Sequence, residues 1–299
     1  MTFFIIRSYD ITNMSNTIKY KEQQPVPTEV FSAWNEQGRV KAAALAQRGE
    51  AVGAYNLGVC GIWGDGAHPS FPLRVAQIKG EKRGERPLAA SLETSSFVAM
   101  LDPTKIPEEL HDLFLNADEL AARLASLCLL RAPITEAAAA KLPASLISRL
   151  PDGAPLLQNW DPAGHEPTHL FVEEMHKRGI VYPAVTSMNP SGTPELVTEE
   201  DGIRFSRERN IPLFLRNPRD PGKVKGSYTI IELHTGGLEL IRDGNIPARL
   251  LELLLGIPIH RTERTIAPKH QQAAIPEALI VDKNPAVGRA ALLKFLSTK

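Results

Sequence analysis

Cysteine is almost absent. Cys60 and Cys128 are the only two in 299 residues, far apart and each in apolar surroundings. That scarcity excludes a disulfide framework and supplies no zinc-ligand spacing, so both thiols read as small buried hydrophobes in a reducing, cytoplasmic setting, and no metal site is expected. An excess of one charge is missing too. The 34 basic and 34 acidic residues cancel, so no global field draws the chain to nucleic acid or to an anionic membrane. Long apolar runs are lacking: the opening Met1-Thr2-Phe3-Phe4-Ile5-Ile6 is too short for a signal peptide, and no later segment reaches membrane length without charges. The expectation is a soluble, untargeted protein without membrane contact. Repeats and low-complexity tracts are also absent, and nothing in the pattern states an oligomeric order.

What is present is enough chain for one large domain or two modest ones with a substantial core. Residues 1–27 are polar and end in prolines, as an N-terminal extension would. Residues 28–246 alternate helical and strand-like patterns, which indicates an α/β domain. Apolar positions over 28–48 predict one or two amphipathic helices, and 50–65 reads as strand interrupted by glycines. Helices are expected over 72–80, 107–115, 117–127, 170–178 and 197–208, strands near 88–92, 180–185 and 211–215, and a hairpin over 228–242. Residues 131–135 read as punctuation and 152–167 as a loop rich in Pro, Gly, Asp and Asn. Residues 247–299 read as a C-terminal helical extension that packs on the sheet or mediates self-association, with a basic, His-bearing stretch over 259–272.

Two stretches carry chemistry. Val185-Thr186-Ser187-Met188-Asn189-Pro190-Ser191-Gly192 follows a short apolar run and packs hydroxyls, an amide and a glycine together. Such a loop can donate to phosphate or carboxylate oxygens, and the same residues are enriched in ordinary turns; composition alone supports both readings. Lys79-Gly80-Glu81-Lys82-Arg83-Gly84-Glu85-Arg86 can neutralise a polyphosphate or form a solvated turn. This loop, a second basic loop over 216–225, and Arg204, Arg207 and Arg209 could track a nucleic-acid backbone. Zero net charge limits such RNA binding to a weak, salt-dependent contact.

These stretches occur in a fixed order with others, and the order resembles that of the YrdC-like family, best known for threonylcarbamoyl-AMP synthases. The family loop T-S-A-N-x-S-G is matched by Thr186, Ser187, Asn189, Ser191 and Gly192, with Met188 for the alanine. Arg74-Val75-Ala76-Gln77-Ile78-Lys79-Gly80 resembles R-I-F-x-I-K-G, followed by Pro87-Leu88 for P-L. Arg131-Ala132-Pro133-Ile134-Thr135 resembles P-G-P-L-T, Arg149-Leu150-Pro151-Asp152 resembles R-V-P-D, and Leu240-Ile241-Arg242-Asp243-Gly244-Asn245-Ile246 resembles I-L-R-x-G-x-I.

The resemblance implies a twisted open mixed sheet with flanking helices and a concave cleft. It implies use of ATP, bicarbonate and an amino acid, with magnesium accompanying ATP, to make a threonylcarbamoyl adenylate for tRNA modification. Carried over position by position, Lys79, with Lys82 or Arg83, would hold phosphate or carboxylate oxygens. Arg149, Thr186, Ser187, Asn189, Thr229 and Arg242 would bind ATP or AMP. Departures fall on the first strand, where the family has P-T-[DE]-T-x-Y-G-L and this chain has Tyr55-Asn56-Leu57-Gly58-Val59-Cys60-Gly61-Ile62. Asn56, Gly58 and Cys60 would there shape the second-substrate pocket without the usual hydroxyls. Glu81 stands where an arginine is expected, and Tyr228-Thr229 replaces Ser-Thr. The alternatives are a binding module for nucleotide or RNA that has lost turnover, and a carbamoyl-adenylate enzyme with a different acceptor.

Overall fold

Helix signals in the sequence are cashed in locally. Asn35 accepts the Gly38 N–H at 2.7 Å and starts a helix over Glu36–Gln47. Thr198 accepts the Asp201 N–H at 3.1 Å and its hydroxyl donates to the Asp201 carboxylate, which opens a helix with three acids in its first turn, where the helix dipole favours them. The computed structural model describes residues 27–80, 86–281 and 284–298. Its helices are α1 (Glu36–Gln47), α2 (Ser70–Lys79), α3 (Thr94–Val98), α4 (His111–Phe114), α5 (Ala117–Leu124), α6 (Glu136–Ala139), α7 (Glu166–Lys177), α8 (Glu199–Glu208), α9 (Ala248–Leu255) and α10 (Pro285–Ser297).

The strands are β1 (Glu29–Ser32), β2 (Val52–Asn56), β3 (Val59–Asp65), β4 (Ala89–Ala90), β5 (Cys128–Pro133), β6 (Ile147–Arg149), β7 (Pro155–Asn159), β8 (Pro183–Ser187), β9 (Leu213–Arg216), β10 (Thr229–His234), β11 (Gly237–Arg242) and β12 (His260–Ile266). They form one mixed sheet in the order β1-β9-β2-β3-β8-β4-β7-β5-β10-β11-β12, with β6 beside β7. This is the twisted mixed α/β sheet with flanking helices that the resemblance implies.

Four expectations are corrected. Residues 29–32 are strand, not helix: Phe31 and its neighbours pair in parallel with β9, and the helix begins only after Asn35. The punctuation at 131–135 is largely the end of β5, a strand between β7 and β10. The loop expected over 152–167 contains β7, whose proline stands at the first strand position and whose Leu156 and Leu157 are buried. The C-terminal extension is not helical throughout, because β12 pairs in parallel with β11.

The tight connection between β2 and β3 sets the register of the site. Leu57 and Gly58 both take positive φ, 31° and 83°, as a two-residue hairpin turn of the primed kind requires. From that turn Asn56 pairs with Val59, Ala54 with Gly61 and Val52 with Trp63. Side chains alternate across a strand, so Asn56, Val59, Gly61 and Trp63 share one face, and Tyr55, Cys60 and Ile62 the other. On the first face Trp63 packs edge-on against Trp160 and Phe171, with ring centroids 6.1 and 5.9 Å apart. On the second, α8 lies so close that a Cβ on Gly202 would sit 2.6 Å from Cys60 Sγ.

Candidate functional site

The first face of the sheet is hollow. A cavity of about 120 Å³ is bounded by Asn56, Val59, Gly61 and Trp63 from the β2–β3 hairpin, Val185 and Ser187 from β8, Ala89 from β4, and Gln158 and Trp160 from β7 and its end. Leu129, Tyr228, Ile230 and Arg242 close it from β5, β10 and β11. One concave surface therefore draws on strands from both halves of the sheet.

Its walls are apolar, yet they hold polar atoms with no partner. Trp63 Nε1, Trp160 Nε1 and the Tyr228 hydroxyl are buried and make no hydrogen bond. An indole N–H can only donate, and a buried donor left unpaired costs about 1–3 kcal/mol. Gly61 keeps this space open: a Cβ there would lie 2.9 Å from Trp63 Nε1 and 3.2 Å from Asn56 Nδ2. Arg242 adds the cation. Its Nε and Nη2 donate to the Tyr228 carbonyl at 3.0 and 2.8 Å, and burial lowers its pKa while nearby Glu195 raises it. Burial works to raise the Glu195 carboxyl, but its own backbone N–H, Ser227 and the cations Lys269 and Arg242 outweigh it and hold it below its ordinary value.

The expected loop is built as a unit. Lys79 Nζ donates to the Ser187 carbonyl at 2.5 Å and to Asn189 Oδ1 at 3.0 Å, and the Ser187 hydroxyl donates to the same Oδ1 at 2.7 Å. Asn189 Nδ2 donates to the carbonyls of Pro190 and Thr193, and Ser191 N–H to the Lys79 carbonyl. The end of α2 and the loop after β8 are thus one hydrogen-bonded body. Met188 fills the core beneath it, fully buried, with its methyl 2.8 Å from where a Gly53 Cβ would stand.

Of the residues singled out in the sequence, Asn56, Cys60, Thr186, Ser187 and Arg242 meet at the cavity. Strand alternation turns the Thr186 side chain to the opposite face, beside Ile62, so it meets the cavity through its backbone. Cys60 does likewise. Its Sγ lies 3.2 Å from the Thr198 carbonyl, and burial, the largest influence, pushes the thiol far up, so it offers no nucleophile. Lys79 and Asn189 anchor the loop rather than line the hollow. Lys82 and Arg83 lie outside the described residues.

Three expectations fail on placement. The Thr229 hydroxyl is fully buried, donating to the Ile246 carbonyl and accepting from Gly244 N–H, so it braces the hairpin; Tyr228 takes its place at the cavity. Arg149 is exposed, tied to Glu136 Oε1 at 2.9 Å and to the Gly153 carbonyl, away from the cavity wall. Gly58 is a turn residue against the Val224 carbonyl, not a pocket residue. Trp63, Trp160, Gln158 and Tyr228 were missed. Trp63 was findable, two residues beyond Gly61 on the same face of a strand, whereas Gln158 and Trp160 were hidden by reading β7 as loop.

A second cavity, about 380 Å³, lies where Trp34, His165, Asn217, Arg219 and the end of α10 meet. Arg219 stacks on Trp34 at 4.0 Å. Among the described residues no cluster of three or more His, Cys, Asp or Glu could hold a metal ion, and no helix is long and apolar enough to cross a membrane.

No family model matches the sequence, and no curated protein matches it. Solved structures do. A double-alanine variant of Sua5 from P. abyssi aligns with a TM-score of 0.59 at 20% identity, covering 79% of this chain and 65% of that one. P. abyssi Sua5 in complex with L-threonine gives 0.59 at 21% identity, over 83% and 68%. The fold is Sua5/YrdC-like. YciO from E. coli agrees, with a TM-score of 0.51 at 10% identity over 72% and 92% of the two chains. The chain spans about two thirds of the Sua5 chains it matches. On this Sua5/YrdC-like sheet, the departures seen in the sequence fall on the hairpin wall that presents Asn56, Gly61 and Trp63.

Proposed function

We propose that the protein is a divergent member of the Sua5/YrdC-like group that makes a carbamoyl-type adenylate from ATP, bicarbonate and an amino acid, releasing pyrophosphate, in support of tRNA modification. The observation that carries this reading is the convergence of Arg242, Ser187 and the unpaired donors of Trp63, Trp160 and Tyr228 on one concave cavity. The amine of the amino acid joins bicarbonate with loss of water to give a carbamate, whose oxygen attacks the α-phosphorus of ATP as pyrophosphate leaves. That reaction needs little covalent help from protein; it needs fixed donors and cations where negative charge develops. Arg242 supplies the charge and the indole N–H groups the donors, while the Lys79–Asn189 lock, to which the Ser187 hydroxyl donates, keeps the loop from reorganising during the reaction. Magnesium enters with ATP as part of the substrate. The apolar wall around Val59, Leu129 and Ile230 suits an amino acid of modest size.

A second reading is a nucleotide-binding module without turnover. The anchoring of Lys79 by Ser187 and Asn189 and the enclosed Thr229 hydroxyl favour it, since two groups expected at the substrate serve the fold instead. Pyrophosphate release, measured with ATP, bicarbonate and a panel of amino acids, separates the two. Release that disappears in Ser187→Ala supports the enzyme. A melting-temperature rise with ATP or AMP but no release supports the module, and neither response would exclude both.

A further inference from the structure

Five side chains form a hydrogen-bonded chain from the second cavity to the first. Trp34 Nε1 donates to Asn217 Oδ1 at 3.0 Å. Asn217 Nδ2 stands 3.3 Å from His165 Nε2, and His165 Nδ1 stands 2.7 Å from Thr168 Oγ1. Thr168 Oγ1 in turn lies 2.9 Å from Asn56 Oδ1. Asn217, His165, Thr168 and Asn56 are all buried.

The direction of this chain follows from its first member. An indole has only a hydrogen to give, so the Asn217 atom facing Trp34 is the oxygen and the atom facing His165 is the amide nitrogen. His165 Nε2 therefore accepts. Burial pushes this imidazole down to about 4, so it is neutral near pH 7 and its single hydrogen is on Nδ1. That hydrogen goes to Thr168, whose own hydroxyl hydrogen goes to Asn56 Oδ1. What remains at the end is Asn56 Nδ2, beside Trp63 Nε1 on the open face of Gly61.

We propose that Trp34, Asn217, His165 and Thr168 are positioning residues that hold Asn56 as an obligate hydrogen-bond donor to the first cavity, so that the site selects a small molecule presenting a carboxylate or carbonyl oxygen to Asn56 and Trp63. The proposal rests on the proposed function only for the identity of that molecule. The chain ends on the altered hairpin at Asn56: an amide there that could rotate freely would accept as readily as donate, whereas one held by Thr168 adds a second fixed donor beside the indole. A ligand with a donor at this point meets two N–H groups and is rejected.

The direction is read without any ligand. Nitrogen NMR of histidine-labelled protein near pH 7 is expected to show His165 with hydrogen on Nδ1 and a bare Nε2. Hydrogen on Nε2 means that the chain runs the other way and overturns the proposal. The ligand arm uses L-threonine and, separately, acetate, titrated by calorimetry into wild type, Asn56→Asp, Thr168→Val and Thr168→Ser. Affinity is expected to fall at least about tenfold in Asn56→Asp and Thr168→Val and to be retained in Thr168→Ser, which keeps the hydroxyl. Equal affinity in wild type and Asn56→Asp overturns the donor role. Absence of binding by either probe to wild type counts against the proposed function, while the His165 tautomer still decides the direction of the chain.

Discussion

Arg131 on β5 and Glu232 on β10 stand opposite each other in parallel register, with Nη1 and Oε2 3.0 Å apart. Glu232 is 1% exposed, and Arg264 reaches its other oxygen from β12 at 3.1 Å while also holding Glu239 at 3.0 Å. Two buried acids are therefore neutralised by cations from two strands, β5 and β12. Burial, the largest influence on Arg131, lowers its pKa, and Glu232 opposes that. Removing Arg131 leaves a buried carboxylate short of a partner. Arg131→Ala is expected to lose about 3 kcal/mol in urea denaturation near pH 7. A loss below about 1 kcal/mol would show that Arg264 neutralises Glu232 unaided.

The hairpin turn is as constrained as the ion pair. Gly58 has φ of 83°, and a Cβ there would stand 2.2 Å from the Val224 carbonyl oxygen, which belongs to backbone and cannot swing aside. Gly58→Ala is expected to lower stability by at least about 2 kcal/mol, the sum of left-handed strain and the clash. Urea midpoints check it, and an unchanged midpoint contradicts the close approach of residues 216–226 to the turn.

Acid weakens the fold through His165. Its ring is held at about 4 against an ordinary 6.5 because burial penalises the charged form. The unfolded chain takes up the proton first, so stability is complete above about pH 6.5 and falls as pH drops toward 4, by about 3 kcal/mol in all. Glu166, Arg219, Asp220 and Lys294 line the neighbouring cavity, and Asp220, raised chiefly by burial, acts in the opposite sense at the acid end. The stability advantage of wild type over His165→Gln is expected to shrink by 2–3 kcal/mol, roughly, between pH 7 and 4.5. An advantage independent of pH would mean that His165 is not enclosed.

Neither thiol is open to reagents. Cys60 and Cys128 are buried, and burial, the leading cause for both, raises them, Cys128 to about 12. A disulfide reagent added to native protein near pH 8 is expected to find no reactive thiol within minutes and two after denaturation. Rapid labelling of Cys60 in native protein would require the α8 face of β3 to open.

Much of this architecture is legible in the chain because its signals are local. The caps at Asn35 and Thr198 are not read from the sequence, but a helix over 197–208, the hairpin over 228–242 and a strand leading toward Ser187 follow from periodicity and turn residues. Elements that depend on neighbours were lost. Residues 155–159 carry a proline and sit between Gly153 and Asp161, so they look like loop, yet strands on both sides recruit them into the sheet. The site divides the same way. Ser187 and Arg242 were legible as members of an ordered set of motifs. Thr229 and Arg149 belonged to that set too, but the Ile246 carbonyl and Glu136 claim them, and no short motif encodes those partners. Cys60 was misplaced by one residue's alternation.

β12 has a meaning beyond its ion pairs. Its backbone covers the outer side of β11, from Glu239 to Arg242, the last strand of the hairpin that carries Arg242. Residues of β12 are polar and exposed nearly throughout, so the strand offers water a polar border while its backbone pairs with the hairpin. A chain ended at residue 246 would present β11 as a raw, apolar edge able to pair with other molecules. The C-terminal segment is therefore the selvedge of the sheet, finishing the hairpin's outer strand with a polar one.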